Sequence, residues 1–290
     1  YEFTWTIVNG TCNSSDVVEV TVSANPLSVS AGADQQLCDQ TTATLTGTTS
    51  LGAGTWTALN GATIDASGNV TNMVAGNCYT FRWTVVNGPC TATDEVEVCV
   101  DEQPTAAAGA DQDLCATTAT LAATTPTVGT GVWTLTSGSG LTFNPNDPAT
   151  GVSNLQAGQN YTFTWTVTNG SCVTTDNVDI SVDASPTSVS AGADQQLCNV
   201  STATLTGTTS AGTGAWSISD NAGDGDVAVT AGGAVSNMDA GTCYTFLWTV
   251  TNGTCTATDE VEVCVDEQPT AAAGADQDIC TTTATLAATT

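Results

Sequence analysis

The sequence predicts an all-β chain, a tandem array of small β-sandwich domains set end to end in a rod. Three observations predict it. Ala-Gly-Ala-Asp-Gln begins at Ala31, Ala108, Ala191 and Ala273, and the steps of 77, 83 and 82 residues each suit one small domain. Apolar and polar residues alternate with period two: Tyr79, Phe81, Trp83 and Val85 are interleaved with Cys78, Thr80, Arg82 and Thr84. Short runs of this kind are separated by Gly-rich turns such as Asn87-Gly88, a hairpin signal.

The unit from Leu27 to Pro104 serves as template. Ser28 to Cys38 reads as a first strand interrupted at Ala31-Gly32, where glycine permits a kink. Asp39-Gln40-Thr41 turns the chain, and Thr42 to Thr46 reads as the second strand. Gly54 to Leu59 carries Trp56 on a third, and Ala62 to Met73 supplies two short strands around Ser67-Gly68. Cys78 to Val86 is the clearest strand, and the last runs from about Thr93 to Val100. Seven short strands of this kind predict a sandwich of immunoglobulin type. The Trp pairs 56/83, 133/165 and 216/248 are expected to fill cores. Tyr79, Tyr161 and Tyr244 are placed to form tyrosine corners.

A second order sits above the repeat. Units starting at 31 and 191 share Gln-Gln-Leu-Cys and a later Cys-Tyr-Thr-Phe, and are called A-type here. Those starting at 108 and 273 share Gln-Asp-Leu/Ile-Cys, the complete one carries Asn-Tyr-Thr-Phe, and they are called B-type. The expected division is 1–25 (C-terminal part of a B-type unit), 26–103 (A), 104–185 (B), 186–268 (A) and 269–290 (N-terminal part of a B-type unit). Tyr1 stands at the position of Tyr161 and Thr290 at that of Thr125, as in a segment of a longer repetitive chain. Joining end to start would not rebuild a domain, because the stretch matching Pro126 to Asn160 would be missing. Short joints at Pro26, Pro104, Pro186 and Pro269 leave little slack, which favours a rod over beads on a string.

The Ala-Gly-Ala-Asp-Gln-x-Leu-Cys opening, the mid-domain Gly-x-Trp, and Tyr-Thr-Phe-x-Trp-Thr-Val-x-Asn-Gly-x-Cys followed by Asp-x-Val-x-Val resemble PKD-like/Ig-like tandem repeats. Such repeats occur in very large secreted bacterial surface proteins, adhesins and filament-forming proteins among them. The resemblance covers essentially the whole chain and implies spacers and stalks rather than an activity. The Pro usual in an Ala-Gly-Pro-Asp-Gln opening is Ala here.

Composition narrows the function. One Arg, no Lys, no His and 29 acidic residues give a net charge of −28. Nucleic acid and anionic membrane surfaces are disfavoured as partners, because both need a basic face. No apolar run approaches the length of a membrane span, so membrane insertion is not expected. Without His or Lys, Ser-His-Asp, Cys-His and Schiff-base catalysis have no residues to use. The adjacent acids Asp94-Glu95 and Asp259-Glu260 point to opposite faces of their strands and would not share a substrate. A non-enzymatic chain is expected. Twelve cysteines at repeating positions predict an oxidising, extracellular setting: a cell surface or a secreted fibre.

Cys78 and Cys99, with Cys243 and Cys264 as the second copy, lie symmetrically about the Asn-Gly hairpin, so Cys78–Cys99 and Cys243–Cys264 are expected as cross-strand disulfides. Each unit also has a cysteine ending its first strand (Cys38, Cys115, Cys198, Cys280) and one just after the hairpin (Cys12, Cys90, Cys172, Cys255). In a sandwich of this type those two positions lie at opposite poles, roughly 30 Å apart for a strand of nine or ten residues. A disulfide needs Cα atoms within about 7 Å. The geometry favours an interdomain set, Cys38–Cys172 and Cys115–Cys255, with Cys12, Cys198 and Cys280 bonding further parts of the array. The alternative is intradomain: Cys38–Cys90, Cys115–Cys172 and Cys198–Cys255.

No cofactor is required on this reading, but hard oxygen ligands near the joints suit Ca²⁺. The candidates are Asp101, Glu102, Asp111 and Asp113, repeated as Asp266, Glu267, Asp276 and Asp278. A second set, Asp220, Asp224 and Asp226, lies in the loop Ser219–Asp226, which lacks the closing bidentate Glu of a calcium loop. The function expected is a segment of an extracellular bacterial fibre or adhesin stalk. Its partners would be copies of itself or further repeats of the same chain. The rival is an Ig-like module that binds a surface glycan or protein.

Overall fold

The computed structural model describes residues 1–223 and 225–289. Every regular element within them is a β-strand. The chain opens with an antiparallel hairpin, β1 (Glu2–Asn9) and β2 (Cys12–Glu19), whose apolar side chains Phe3, Trp5 and Ile7 are exposed.

The first complete unit contains β3 (Gln35–Cys38), β4 (Ala43–Thr44), β5 (Ala53–Ala58), β6 (Thr63–Ile64), β7 (Asn69–Thr71), β8 (Asn77–Asn87) and β9 (Cys90–Asp101). Its larger sheet has the order β3-β9-β8-β5 and its smaller one β4-β7-β6. Inward residues of the two sheets, among them Leu45, Val70, Phe81, Val96, Val98 and Val100, form one core. The second unit repeats the plan with β10 (Gln112–Leu114), β11 (Thr118–Thr120), β12 (Thr130–Ser137), β13 (Gly151–Ser153), β14 (Gln159–Asn169) and β15 (Cys172–Val182). The third has β16 (Gln195–Cys198), β17 (Ala203–Thr204), β18 (Thr213–Asp220), β19 (Ala228–Val229), β20 (Ala234–Ser236), β21 (Thr242–Asn252) and β22 (Cys255–Asp266). These are Ig-like β-sandwiches in tandem.

Several expected elements differ in extent. The first strand is ordered into a sheet only over Gln35–Cys38, with a lone bridge from Ser30 to Thr48 upstream. The last strand begins at Cys90 rather than Thr93, because the hairpin is as tight as a hairpin gets: Asn87 pairs directly with Cys90. Its two central residues are Gly88 and Pro89, with positive φ only at the glycine, the II′ pattern that matches strand twist.

Two features set the poles. β3 runs parallel to β9, with Cys38 opposite Asp101, so the end of the first strand and the end of the last lie together at the C-terminal pole. The β8–β9 hairpin lies at the other. The same parallel pairing recurs as β10 with β15 and β16 with β22. Paired carboxylates hold the short first strand there. In the first unit Asp94 accepts from the Ala31 amide at 2.8 Å and Asp34 accepts from the Glu97 amide at 2.8 Å. Asp176 with Asp111, and Asp259 with Asp194, do the same in the other two units.

Each unit has a tilted Trp pair, with ring centroids 4.9, 5.0 and 4.9 Å apart, inside the core of the second and third units and packed against the core of the first. The glycines of Gly-x-Trp make room for it: a Cβ on Gly54, Gly131 or Gly214 would land on the indole of Trp83, Trp165 or Trp248. The hydroxyls of Tyr79, Tyr161 and Tyr244 accept from backbone amides five residues upstream, at 2.8–2.9 Å, closing the corners.

Candidate functional site: the joints between units

The joints gather the polar chemistry of the chain. At the first, the parallel β3–β9 pairing presents Cys38 and Asp101 side by side, and the Asn169–Cys172 hairpin of the second unit comes down on them. Cys38 is disulfide-bonded to Cys172, with Cα atoms 4.9 Å apart. One oxygen of Asp101 accepts from the Ser171 amide at 2.7 Å and its hydroxyl at 2.9 Å. The other accepts from the Gln36 side chain at 2.7 Å. Asn169 donates through its side-chain amide to the Glu102 carbonyl at 2.8 Å. Between them Gly170, at φ +54°, lies flat on the carboxylate, where a Cβ would collide with it. Donors from Ser171 and Gln36 hold the Asp101 carboxyl below its ordinary value of 3.8, the Ser171 amide contributing most.

The second joint uses the same parts. Cys115 is bonded to Cys255, with Cα atoms 5.0 Å apart. Asp183 accepts from the Thr254 amide at 2.6 Å and the Thr254 hydroxyl at 2.9 Å, while Asn252 donates to the Ala184 carbonyl at 2.7 Å. Gly253, at φ +57°, again lies on the carboxylate.

The joint ahead of the first unit keeps the asparagine and changes the rest. Asn87 donates to the Ala24 carbonyl at 2.8 Å. Ser23 stands where Asp101 and Asp183 stand, and Pro89 where Ser171 and Thr254 stand. Proline brings neither an N–H nor a hydroxyl, so an acid opposite it would have nothing to bind. The acid and its donor change together. The thiol of Cys90 lies 3.5 Å from the Ser23 carbonyl, as Cys255 lies 3.5 Å from the Asp183 carbonyl, but Cys90 carries no disulfide.

Within the A-type units, Cys78 is bonded to Cys99 and Cys243 to Cys264, each pair directly opposed in register. The intradomain alternatives Cys38–Cys90, Cys115–Cys172 and Cys198–Cys255 do not occur: Cys38 and Cys115 bond forward across a joint to Cys172 and Cys255, and Cys90 and Cys198 are free. The physical reason is polar separation, since the first strand ends at one pole and the hairpin turns at the other. Cys12, Cys90, Cys198 and Cys280 are free thiols.

Among the described residues, the calcium candidates do not come together as a set of three. Asp101 faces the neighbouring hairpin, and Asp111 is taken up by the Asp179 amide of its own unit at 2.9 Å. Glu102 and Asp113 are exposed. Asp266 accepts from Gln196, while Glu267, Asp276 and Asp278 are exposed. Asp220 closes its own turn on the Ala222 amide at 2.8 Å, the Asp226 carbonyl accepts from Asn237, and Asp224 lies outside the described residues. Among the described residues, only Cys78, Glu97 and Cys99, and their counterparts Cys243, Glu262 and Cys264, bring three ligand atoms within 4.8 Å. The sulfurs of both sets are already bonded to each other. The single Arg, Arg82, pairs with Glu95 across the strands.

Nothing in the sequence pattern alone assigns Ser171, Thr254, Asp183, Gln36, Asn169 or Asn252 to the joints. A readable signal exists in the residue pairs: Asp with Ser/Thr at two joints, Ser with Pro at the third.

No protein family profile matches the chain, and no curated protein matches it significantly. Among solved structures, it is similar to extracellular domains 3–5 of Drosophila OTK, at 12% identity and a TM-score of 0.42, covering 85% of this chain and 100% of that one. It is also similar to the titin I-band fragment I67–I69, at 10% identity and a TM-score of 0.44, covering 85% and 100%. The N-terminal eight Ig domains of Down Syndrome Cell Adhesion Molecule align at 14% identity and a TM-score of 0.49, covering 91% and 40%. The Ig-like description of the units rests on their own strand order and cores.

Proposed function

We propose that the chain is a non-enzymatic structural segment of an extracellular stalk or fibre, of the kind that bacterial surface proteins build from tandem repeats. The observation that supports this most is the closure of both joints between complete units by a disulfide and an acid-to-hairpin latch. A short linker already limits bending, and a second covalent path beside it leaves the joint little freedom. Disulfides of this number fit an oxidising compartment, outside the cell. The high negative charge keeps neighbouring rods apart.

Negative-stain images of the oxidised protein should show thin, straight particles with a narrow range of bend angles. Reduction should widen that range without unfolding the units. Equal flexibility before and after reduction would defeat the reading. The contacts that close the joints are disulfides and protein–protein hydrogen bonds, so EDTA should leave the bend distribution unchanged. A binding module is the second reading, favoured by a polar cleft of about 370 Å³ at the first joint lined by Gln36, Asn77, Glu102 and Asn169. A specific hit on a glycan array, abolished by Asn77→Ala, would promote it.

A further inference from the structure

Away from the joints, one cluster of metal-ligating atoms recurs on the solvent face of the A-type units. In the first unit the sulfurs of Cys78 and Cys99 and a carboxylate oxygen of Glu97 lie within 4.8 Å of one another, and Cys243, Cys264 and Glu262 repeat the set in the third. Strand register places them. Cys78 is opposite Cys99, and Glu97 precedes Cys99 on the same face of β9, opposite Thr80. Cys78 and Glu97 are exposed and Cys99 is half-buried, so the cluster is open to small solutes.

The B-type unit shows the same register without the ligands. There Asn160 faces Ser181, and Asp179, in the place of Glu97, accepts from the Thr162 hydroxyl at 2.7 Å. In the A-type units the opposing Thr80 and Thr245 make no such bond. Among the described residues, the Glu97 and Glu262 side chains have no hydrogen-bond partner. Asp101, on the other side of Cys99, is tied up by Ser171 and Gln36. Two sulfurs and an uncommitted carboxylate therefore converge twice, once in each A-type unit.

We propose that Cys78, Cys99 and Glu97, with their counterparts Cys243, Cys264 and Glu262, form a redox-gated site for a divalent cation of the Zn²⁺ class. Oxidised, the sulfurs are bonded to each other and the site is closed. Reduced, it offers two thiolates and one carboxylate, a donor set that suits Zn²⁺ and leaves the fourth tetrahedral position to water. The strands keep their register. Sulfurs about 2.3 Å from one zinc ion stand roughly 3.8 Å apart, and opposed residues of an antiparallel pair have Cβ atoms about 4.5–5.5 Å apart. Two small-molecule thiols pass two electrons and two protons to the protein disulfide and leave as their own disulfide. The cation then displaces the two protons from the protein thiols. β8 and β9 stay tied in either state, by sulfur or by metal, beside the Gln36 that reaches into the first joint. The site stands on the A-type units alone and does not depend on the stalk reading.

The test uses the 290-residue protein with its four free thiols alkylated, then reduced with dithiothreitol and desalted without oxygen. Cd²⁺ is the first probe, because its bonds to thiolate absorb in the ultraviolet. The reduced protein should show this absorption and bind two tight equivalents per chain, and the oxidised protein should show neither. Cys78→Ser with Cys243→Ser should remove both equivalents. Glu97→Gln with Glu262→Gln, surface changes that leave the sulfurs in place, should weaken both on the order of tenfold. Cd²⁺ and Zn²⁺ alike should slow hydrogen exchange in β8, β9, β21 and β22 of the reduced protein and leave β14 and β15 unchanged. Tight equivalents that persist in the serine variant, an affinity indifferent to the glutamine pair, or equal protection of β14 and β15 would each overturn the proposal. A disulfide map of the oxidised protein tests Cys38–Cys172 and Cys115–Cys255 separately, so failure of the joints and failure of the metal site are told apart.

Discussion

The first and second units share a plan but secure it differently. In the A-type unit, Cys78–Cys99 ties β8 to β9 near the C-terminal pole, on the solvent face. In the B-type unit the same register holds Asn160 opposite Ser181, with no covalent tie. The B-type core is better filled. Trp133 and Trp165 are buried, and Phe143 adds an edge-on contact to Phe163 at 5.3 Å, whereas Trp56 and Trp83 of the first unit are only partly buried. Between these two units a crosslink stands where the Trp pair is less buried, whereas the third unit, also A-type, has both: Cys243–Cys264 and the buried pair Trp216 and Trp248. The crosslink also stands beside Gln36, which is opposite Cys99, and so firms the strand edge that receives the next hairpin.

The largest effect expected from this contrast is in the Trp pairs. Trp133→Ala should destabilise the second unit by about 4 kcal/mol, as truncation of a buried aromatic does. Trp56→Ala should cost the first unit clearly less, and equal shifts in denaturant unfolding would break the comparison. Next comes the crosslink. Removing it with Cys78→Ala and Cys99→Ala should cost the first unit about 3 kcal/mol, by chain entropy for a separation of 21 residues. Conversely, Asn160→Cys with Ser181→Cys should form a disulfide in the second unit and raise its urea midpoint, reversibly on reduction. Failure of that pair to oxidise would show that register alone does not explain the difference between unit types.

The smallest effect is the pH response of the first joint. Because Asp101 titrates below its ordinary 3.8 when folded, its latch contributes fully above that value and is lost as pH falls through the lower folded one. Fluorescence transfer between dyes flanking the joint should broaden in that acid window, and Asp101→Asn should flatten the response. An unchanged acid transition in that variant would place the titrating group elsewhere.

Much of the architecture can be read in the sequence, because repeats, period-two alternation and Gly-x-Trp are local patterns that burial enforces. The cross-strand pairs Cys78–Cys99 and Cys243–Cys264 follow from counting outward from the hairpin. The first strand was less legible: Ser28 to Asp34 has strand-like residues, yet side-chain carboxylates rather than a ladder hold that stretch. The joint latch was hidden for a related reason. An acid on a very acidic chain reads as solvated, and Asp101 and Ser171 are 70 residues apart, so only the three-dimensional juxtaposition shows them as partners.

The two interdomain disulfides enclose overlapping stretches of chain, 38 to 172 and 115 to 255. A peptide bond cut anywhere between Cys38 and Cys255 therefore falls inside at least one closed ring. A protease that nicks the linker at Pro104 or Pro186 severs the backbone yet leaves both fragments covalently attached, and tension on the damaged molecule is rerouted through sulfur.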